Sequence, residues 1–333
     1  MRPTQLISTI KSLFPLQRTL CIEGSPGGGK TSVVQQAARE LELDMDTQYI
    51  EIHLPTSLPE DFGIPWPNAD TEHFAHKLPE WFPVEGQAPE TGILCFDDRN
   101  QASPDLQKIL ANICQARTLH GKRLPKGWMV VSTGNKQADR AGANRVLSHL
   151  RDRETTITMD THLDDWTAWA IDNGIPHEGI SFVRYRPGLL HDFDPQKDIS
   201  PTPRSWTEGV FGLWGKGPSE SEYEVFAGAV GEGAAAEFVG FMRIFRKLPD
   251  PDSILLTPDT ANVPEDPATL YALSGALANR ASSGNIDRMV KYLNRLPKEF
   301  SVLTMSSALR RDASLSSSQA FVQWSLNAQD VLF

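Results

Sequence analysis

The feature that most constrains this 333-residue chain is a glycine-rich segment near its N-terminus. Residues 24–31 read Gly-Ser-Pro-Gly-Gly-Gly-Lys-Thr and match the pattern G-x-x-x-x-G-K-[ST] in full. In such a loop, glycines let backbone N–H groups point at phosphate, the lysine reaches the β- and γ-phosphates, and the threonine hydroxyl ligates Mg²⁺. The segment therefore predicts a site for a nucleoside triphosphate and Mg²⁺. The predicted phosphate-binding residues are Gly24, Ser25, Pro26, Gly27, Gly28, Gly29, Lys30, Thr31 and Ser32.

The residues on either side of the loop favour the same interpretation. Residues 20–23 are apolar enough to form a short strand, and apolar residues recur at helical spacing from Val33 to Leu41. A strand before the loop and a helix after it would place phosphate at a helix N-terminus, where backbone N–H groups and the helix dipole favour an anion. The alternative is a glycine-rich turn that matches the motif by chance.

Two adjacent carboxylates follow a second apolar run. Residues 92–96 predict a buried strand of a parallel sheet, and Asp97 and Asp98 come directly after it. Carboxylates at the carboxyl end of such a strand lie where ligands bind in open α/β sheets. We expect Asp97 to join Thr31 in holding Mg²⁺, and Asp98 to orient the attacking water. An ordinary strand followed by a solvated turn is the alternative.

A third apolar strand, residues 128–133, ends just before Gly134 and Asn135. An asparagine after a strand is most often a turn residue. Its place in the chain, after the loop and the two acids, favours a second role for Asn135: an amide that contacts the γ-phosphate or the attacking water.

The order of these motifs resembles that of the AAA+ ATPases, specifically the MoxR-like branch of the dynein-related group in the version common in bacterial and phage genomes. The likeness extends over nearly the whole chain. The segments that carry it are GSPGGGKTS at 24–32, LPTSLPEDFGIPWP at 54–67, ILCFDDRNQASPDLQ at 93–107, STGNKQADRAG at 132–142, LRDR at 150–153, DDWTAWAIDNGIP at 164–176, VRYRPGLLHDFDP at 183–195 and PTPRSW at 201–206.

The resemblance implies roles for three polar residues. Asn135 would be the first sensor, Arg153 the arginine finger offered to a neighbouring subunit, and Arg204 the second sensor. The chain departs from the family pattern at two positions: Asp98 stands where many relatives have glutamate, and Glu154 stands where many have an aromatic residue.

Each arginine also has a plainer interpretation. Arg153 precedes residues 154–159, which alternate like a strand, so it could be a surface residue, and Arg151 is an alternative finger. Arg204 follows two prolines and is predicted in the first turn of a helix. Because a cation is disfavoured at a helix N-terminus, a nearby anion would explain Arg204 there.

Strand and helix patterns alternate up to about residue 160, and helical patterns follow. The fold class predicted is α/β: a P-loop NTPase parallel sheet sandwiched by helices, followed by an all-α lid and a C-terminal helical region. The predicted domains are an ATP-binding core at 1–160, a helical lid at 161–250, and a linker with a helical extension at 251–333. Residues 56–90 show little periodicity and are predicted to be irregular.

Composition excludes several classes of protein. A net charge of −10 argues against a chain that chiefly grips nucleic acid, although residues 117–126 form a local basic hairpin with its turn at Gly121. No apolar run approaches the roughly 18 residues of a membrane span. The three cysteines show no zinc-binding spacing and suit a reducing compartment. We therefore expect a cytoplasmic protein with no membrane partner.

The sequence as a whole favours an ATPase that hydrolyses ATP with Mg²⁺. The resemblance implies assembly into a homo-oligomeric ring, most often of six subunits, that remodels or activates a protein client, often one with a von Willebrand factor A-like domain. Two alternatives stay open. One is a nucleic-acid motor or loader built on the same core, and the other is a nucleotide-gated scaffold with weak hydrolysis, for which Asp98 is the only hint.

Overall fold

The chain divides into two compact units. A computed structural model describes residues 1–68, 73–136, 139, 146–213 and 222–328. The first unit comprises Met1–His162 with Asp194–Gln196, and the second comprises Leu163–Phe193 with Lys197–Phe333. The three-part domain division expected from the sequence stays a prediction.

The first unit is built from alternating strands and helices. Its helices are α1 (Pro3–Leu13), α2 (Lys30–Glu40), α3 (Pro104–Ala116) and α4 (Ser148–Arg151). Its strands are β1 (Leu20–Gly24), β2 (Tyr49–His53), β3 (Ile64–Pro67), β4 (Phe74–Lys77), β5 (Thr91–Asp97), β6 (Thr118–Leu119), β7 (Lys122–Arg123), β8 (Gly127–Asn135) and β9 (Thr155–Thr158).

Five of these strands form one parallel sheet in the order β2-β5-β8-β1-β9. Because parallel strands carry their carboxyl ends to the same edge, the ends of β2, β5, β8 and β1 meet there. The registers pair His53 with Asp97 and Gly24 with Asn135. The predicted P-loop sheet is therefore confirmed, and it gathers the sequence motifs at one edge.

Each face of the sheet has its own apolar core, as expected for central strands buried on both sides. In β5, Ile93 and Cys95 pack with α1 and α2, whereas Leu94 and Phe96 pack with α3. Alternate residues of one strand thus pack against the helices on opposite faces of the sheet. This double burial explains why β5 and β8 read as continuous apolar runs rather than as alternating patterns.

Two small hairpins branch from this unit. Thr118–Leu119 pairs with Lys122–Arg123 through a turn at Gly121, as the sequence predicted. The prediction of an irregular segment at 56–90 was incomplete, because Ile64–Pro67 pairs antiparallel with Phe74–Lys77. All eight of these residues are exposed, so the pairing leaves no alternation of buried and exposed positions in the sequence.

The described part of the second unit is helical, which confirms the predicted helical region after the sheet. Its helices are α5 (Leu163–Asp172), α6 (His177–Tyr185), a π-helix (Ser205–Phe211), α7 (Glu222–Val230), α8 (Glu232–Phe245), α9 (Pro251–Leu256), α10 (Pro267–Arg280), α11 (Ile286–Leu293), α12 (Lys298–Arg311) and α13 (Gln319–Asn327).

Several helices begin where an acidic or hydroxyl side chain precedes a proline. Asp250 and Asp266 accept hydrogen bonds from backbone N–H groups three residues ahead, and a proline follows each of them. Ser103 caps α3 in the same way. These side chains satisfy N–H groups that the first helical turn leaves unpaired, and proline is favoured at the first helical position.

An aromatic cluster forms one core of the second unit. The rings of Phe182, Trp206, Phe211 and Phe238 stack or meet edge to face, and all four side chains are buried. Buried aromatic residues contribute large apolar areas, so this cluster is a major source of stability for the helices around it. Among the residues described, no helix combines the length and the apolar character needed to cross a membrane.

Candidate functional site

The glycine-rich loop connects the end of β1 to the start of α2. Gly27 and Gly29 have φ angles of 67° and 89°, in the left-handed region where a side chain is strained. At Gly24 a Cβ atom would lie 2.9 Å from the carbonyl oxygen of Met159. Local backbone geometry and close packing therefore explain why glycine occupies these positions. The resulting loop places Lys30 at the first residue of a helix.

Lys30 is buried, and its ammonium group is held by three oxygen atoms. Its Nζ donates to the carbonyls of Gly24 and Ser25 at 3.1 and 3.2 Å, and to Oδ1 of Asn135 at 2.8 Å. Gly28 N–H also donates to the Ser25 carbonyl. A buried ammonium needs such acceptors to offset its lost hydration. The cation is therefore held within the loop and in contact with Asn135.

Asp97, at the end of β5, contacts side chains from three other elements. The hydroxyls of Thr31 and Thr133 each donate to its Oδ1 at 2.6 Å, and Nδ1 of His53 lies 3.2 Å from its Oδ2. Thr31 comes from α2, Thr133 from β8 and His53 from β2. The sheet edge therefore brings Thr31 and Asp97 together, as the sequence predicted.

These hydrogen bonds decide the ionisation of Asp97. Burial raises the pKa of its carboxyl group, but hydrogen bonds from Thr133, Thr31 and His53 together outweigh burial, so the pKa lies below its ordinary value of 3.8. Asp97 is therefore ionised at neutral pH, as a carboxylate ligand for a divalent cation must be.

Asp98 adopts an unusual backbone conformation beside Asp97. Its φ is 53°, in the left-handed region, and its N–H donates to the Thr133 hydroxyl at 3.0 Å. Nδ2 of Asn135 and Nε2 of Gln101 lie 3.4 Å from its two carboxylate oxygens. Asn135 thus bridges Lys30 and Asp98, and a single amide joins the cation of the loop to the second acid.

A second asparagine holds Asn135 in place. Nδ2 of Asn100 donates to the backbone carbonyl of Asn135 at 2.7 Å, and the backbone N–H of Asn135 donates to Oδ1 of Asn100 at 3.1 Å. A Cβ at Gly134 would lie 3.2 Å from that same Oδ1. The reciprocal pair of hydrogen bonds fixes the backbone from which the Asn135 amide reaches Lys30 and Asp98.

The donor set around Asp97 fits a magnesium ion. Magnesium prefers oxygen ligands and is commonly bound by one or two carboxylates together with phosphate oxygens. The Thr31 hydroxyl and Asp97 carboxylate lie 2.6 Å apart beside the loop. One ligand atom from each of His53, Asp97 and Asp98 also lies within 4.8 Å of the others. The residues predicted from the sequence therefore occupy one site suited to Mg²⁺.

Ser32 and the predicted arginines each have a defined local setting. Ser32 is exposed in the first turn of α2. Arg153 follows α4, and its Nε donates to Oε1 of Gln115 on α3, while Arg151 is exposed at the end of α4. Arg204 lies in the second unit, exposed, with helical backbone directly before the π-helix, in accord with its predicted place at a helix start.

Three residues of the site escaped sequence reasoning: His53, Thr133 and Asn100. His53 contacts Asp97 because β2 and β5 pair in a register that aligns them. Thr133 reaches both acids because β8 lies next to β5. A signal existed for Thr133, since it ends a strand predicted from the sequence, but the partners of all three residues depend on strand order and register.

Replacing Thr133 by valine tests its role in holding the acidic turn. Valine keeps the shape but removes the hydroxyl, so Asp97 loses a donor and the Asp98 N–H loses its acceptor. We expect Thr133→Val to lower the free energy of unfolding by about 1 to 3 kcal/mol. Chemical denaturation measures this loss. Thr133→Ser is the matched control, and it should keep most of the stability because the hydroxyl remains. Equal stability of the valine variant and the native chain would contradict the assignment.

The depressed pKa of Asp97 predicts a pH dependence for the same pair of proteins. A carboxyl group whose pKa is lower in the folded state contributes stability that is complete above its unfolded value, near 3.8, and is lost as pH falls through the folded value. Thr133→Val weakens that depression. The stability difference between the native chain and the variant should therefore shrink on acidification below pH 3.8. Unfolding curves across the acid range measure it, and a difference that grows there would be evidence against this role.

Comparison with known proteins finds a family model that matches the segment containing this site. A profile described as the AAA domain of the dynein-related subfamily matches residues 19–153. A comparison with curated protein sequences gave no match. Similar solved structures include a provisionally assigned ATPase from Cytophaga hutchinsonii, with 16% identity, 98% of this chain and 89% of that chain covered, and a TM-score of 0.36.

NtrX from Brucella abortus is also similar, at 13% identity, with 98% of this chain and 67% of that chain covered and a TM-score of 0.36. Its complex with ADP gives 13% identity, 98% and 68% coverage, and a TM-score of 0.37. The matched segment contains the glycine-rich loop, both acids, Asn135 and Arg153. Residues 19–153 therefore match the AAA domain of the dynein-related subfamily.

Proposed function

We propose that this protein binds ATP with Mg²⁺ and hydrolyses it, that it works as a homo-oligomeric ring, most simply of six subunits, and that it remodels or activates a protein client. The observation that carries the proposal is the connected set of contacts from Lys30 through Asn135 to Asp98, beside the Thr31–Asp97 pair. Groups for binding phosphate, holding a metal and orienting water thus lie within one hydrogen-bonded site.

The loop and Lys30 support nucleotide binding. The Lys30 ammonium, held by two loop carbonyls and Asn135, can exchange these partners for phosphate oxygens at little cost in desolvation, since it is already buried. Bound Mg²⁺ would neutralise charge on the phosphates, with Thr31 and Asp97 as its ligands. The ADP complex of the similar NtrX structure accords with a nucleotide at such a site.

Asp98 and Asn135 support hydrolysis rather than binding alone. Asp98 can accept a proton from water and orient it, and a water molecule can replace the amide nitrogens that lie 3.4 Å from its carboxylate oxygens. Asn135 can turn its amide from Asp98 to the γ-phosphate or the water. As a sensor, it would link the presence of the γ-phosphate to the position of Asp98.

Two arginines complete the proposed ATPase. Arg153, which contacts Gln115 on α3, would serve as the finger for the ATP of a neighbouring subunit. A planar, permanently charged guanidinium suits the stabilisation of charge on a transferring phosphoryl group. Arg204 would be the second sensor, and Arg151 remains the alternative finger. Because hydrolysis would then need two subunits, assembly and turnover would be coupled.

The resemblance to MoxR-like proteins supports a protein client, with a von Willebrand factor A-like domain as the first candidate, in the cytoplasm. A nucleic-acid motor is a weaker candidate because of the net charge of −10, and turnover stimulated by single- or double-stranded DNA would favour it. A scaffold with weak hydrolysis would bind ATP with turnover independent of Asp98.

Substituting Asp98 tests the hydrolytic mechanism. Asp98→Asn keeps the size of the side chain and the groups that bind ATP but removes the proton acceptor, so we expect ATP to bind while turnover falls by about 10² to 10⁴-fold. Asp98→Glu restores a carboxylate with one more methylene and should keep or raise turnover. Phosphate release at saturating ATP measures both, with nucleotide occupancy determined separately.

The same variants separate the alternatives. If Asp98→Asn turns over ATP at the native rate, a scaffold or a different catalytic acid must replace this mechanism. If hydrolysis is blocked as expected, ATP should remain on the assembled Asp98→Asn protein. A protein client should then copurify with Asp98→Asn and not with Lys30→Ala, which provides the matched nucleotide-free control.

A further inference from the structure

A buried ion pair begins at Arg99, the residue that follows Asp97 and Asp98 in the chain. Arg99, the residue after Asp98, has a guanidinium with no exposed surface, and so has the carboxylate of Glu154, to which its Nη1 is paired. Its Nη2 donates to Oε1 of Glu23 at 3.0 Å. The Ser132 hydroxyl donates to Oε1 of Glu154 at 2.7 Å. One buried cation therefore joins two carboxylates.

This network crosses the centre of the sheet. Arg99 follows β5, Ser132 lies in β8, Glu23 lies in β1, and Glu154 immediately precedes β9. These four strands are neighbours in that order. The network therefore fixes the segment before β9 to the turn after β5, across two intervening strands.

Stability alone is a poor explanation for such a pair. Moving two charges out of water is costly, and replacing a buried ion pair with apolar residues of similar volume is often neutral or stabilising. Both side chains are fully buried, and the buried thiols of Cys21 and Cys114 lie within range of the Arg99 charge, which acts to lower their pKa. We therefore expect the pair to hold neighbouring residues in place rather than to add stability.

Both ends of the pair adjoin residues of the proposed machinery. Glu154 is the peptide neighbour of Arg153, so holding its carboxylate limits where the Arg153 Cα can lie, about 3.8 Å away. Arg99 follows the end of β5, so its pairing with Glu154 ties the Arg153 segment to that strand end. Glu154 stands where many relatives have an aromatic residue, and in this chain its charge is paired with that of Arg99.

We propose that Arg99 and Glu154 are positioning residues that hold the Arg153 segment at the correct place for its role toward a neighbouring subunit. The proposal rests on the function proposed above, in which Arg153 is the finger. Neither residue touches nucleotide. Each acts through the backbone, Glu154 on Arg153 and Arg99 by fixing Glu154 to the end of β5.

The double variant Arg99→Met/Glu154→Met tests the proposal with the least risk to folding. Two apolar side chains replace both charges, so no buried charge loses its partner, and the partly exposed Glu23 can be hydrated. We expect ATP affinity to stay within about twofold of the native value and turnover to fall by about 10²-fold, since misplacing a catalytic group by about 1 Å costs that much.

Mixing with a second variant shows where the defect acts. Lys30→Ala subunits bind no nucleotide but carry a native Arg153 segment. If the pair positions the finger, Lys30→Ala subunits should restore turnover at the intact loops of the double variant. Turnover that is native in the double variant alone, or a loss that Lys30→Ala subunits do not relieve, overturns the proposal. The second result would mean that the pair serves the nucleotide site of its own subunit.

Two controls keep the outcomes distinct. The mixture of Arg153→Ala with Lys30→Ala tests the finger itself, and if it recovers nothing, the proposed function fails and the positioning role fails with it. Should the double variant not fold, Glu154→Gln replaces it: glutamine keeps the shape and an acceptor for Ser132 but loses the charge paired with Arg99. Glu154→Gln should lose less turnover than the ~10²-fold expected of the double variant, and Lys30→Ala subunits should relieve that loss in the same way. A loss that they do not relieve overturns the proposal.

Discussion

Lys30→Ala is expected to remove ATP binding and turnover together. The ammonium group donates to two loop carbonyls and is placed to meet the β- and γ-phosphates. Two charge-assisted hydrogen bonds to phosphate would be lost, which weakens affinity by at least about 10²-fold. Equilibrium binding of a fluorescent ATP analogue and phosphate release measure the two effects.

The fold should survive this change. Lys30 is buried, but its partners are two carbonyls and an amide that water can reach once the side chain is gone. Lys11→Ala is the matched control, because Lys11 is a partly exposed lysine of the same unit that pairs with Glu40. It should bind ATP normally. Native affinity in Lys30→Ala would mean that the loop is not the nucleotide site.

Arg153→Ala is expected to leave ATP binding close to native and to lower turnover by about 10³-fold or more, as loss of an arginine finger does. The reason is that the guanidinium stabilises charge that develops during phosphoryl transfer and adds little to the ground state. Binding isotherms and steady-state phosphate release separate the two parameters. Arg153→Lys keeps the charge without the planar fork and should recover only part of the activity.

Arg151 is the natural comparison for this experiment. It lies two residues away, exposed at the end of α4, and carries the same charge. If Arg153 is the finger, Arg151→Ala should retain nearly native turnover. The reverse pattern, with loss in Arg151→Ala alone, would transfer the role to Arg151.

The central motif and its supporting elements could be predicted from the sequence because their signals are local. The glycine-rich loop, the strand before it and the helix after it occupy one continuous segment, and the two acids follow an apolar run that is long enough to be a buried strand. Parallel strands end at one edge, so the meeting of Thr31 with Asp97 followed from strand direction alone.

Contacts that depend on strand order could not be predicted in the same way. The partners of Asp97 on β2 and β8, His53 and Thr133, follow from the register of those strands with β5. Glu154 could be recognised as a departure from the family pattern, but its pairing with Arg99 requires knowing that β5, β8, β1 and β9 are neighbours. Periodicity carries no information about such order.

The exposed hairpin formed by Ile64–Pro67 and Phe74–Lys77 shows a different limit. Strand prediction relies on one face being buried, which produces alternation. Trp66 and Phe74 are exposed, and prolines occupy two positions of the first strand. Without a buried face, the sequence of this hairpin resembles that of an irregular loop.

The central claim is that ATP is hydrolysed between subunits, and mixing Lys30→Ala with Arg153→Ala at varied ratios tests it most directly. Neither variant alone should turn over ATP. In a randomly mixed ring, an Arg153→Ala loop can meet the native finger of a Lys30→Ala neighbour. Turnover should therefore rise to a maximum near equal proportions, where about one quarter of the interfaces pair an intact loop with an intact finger. Mixtures that remain inactive at every ratio, with both variants folded and assembled, would contradict the account.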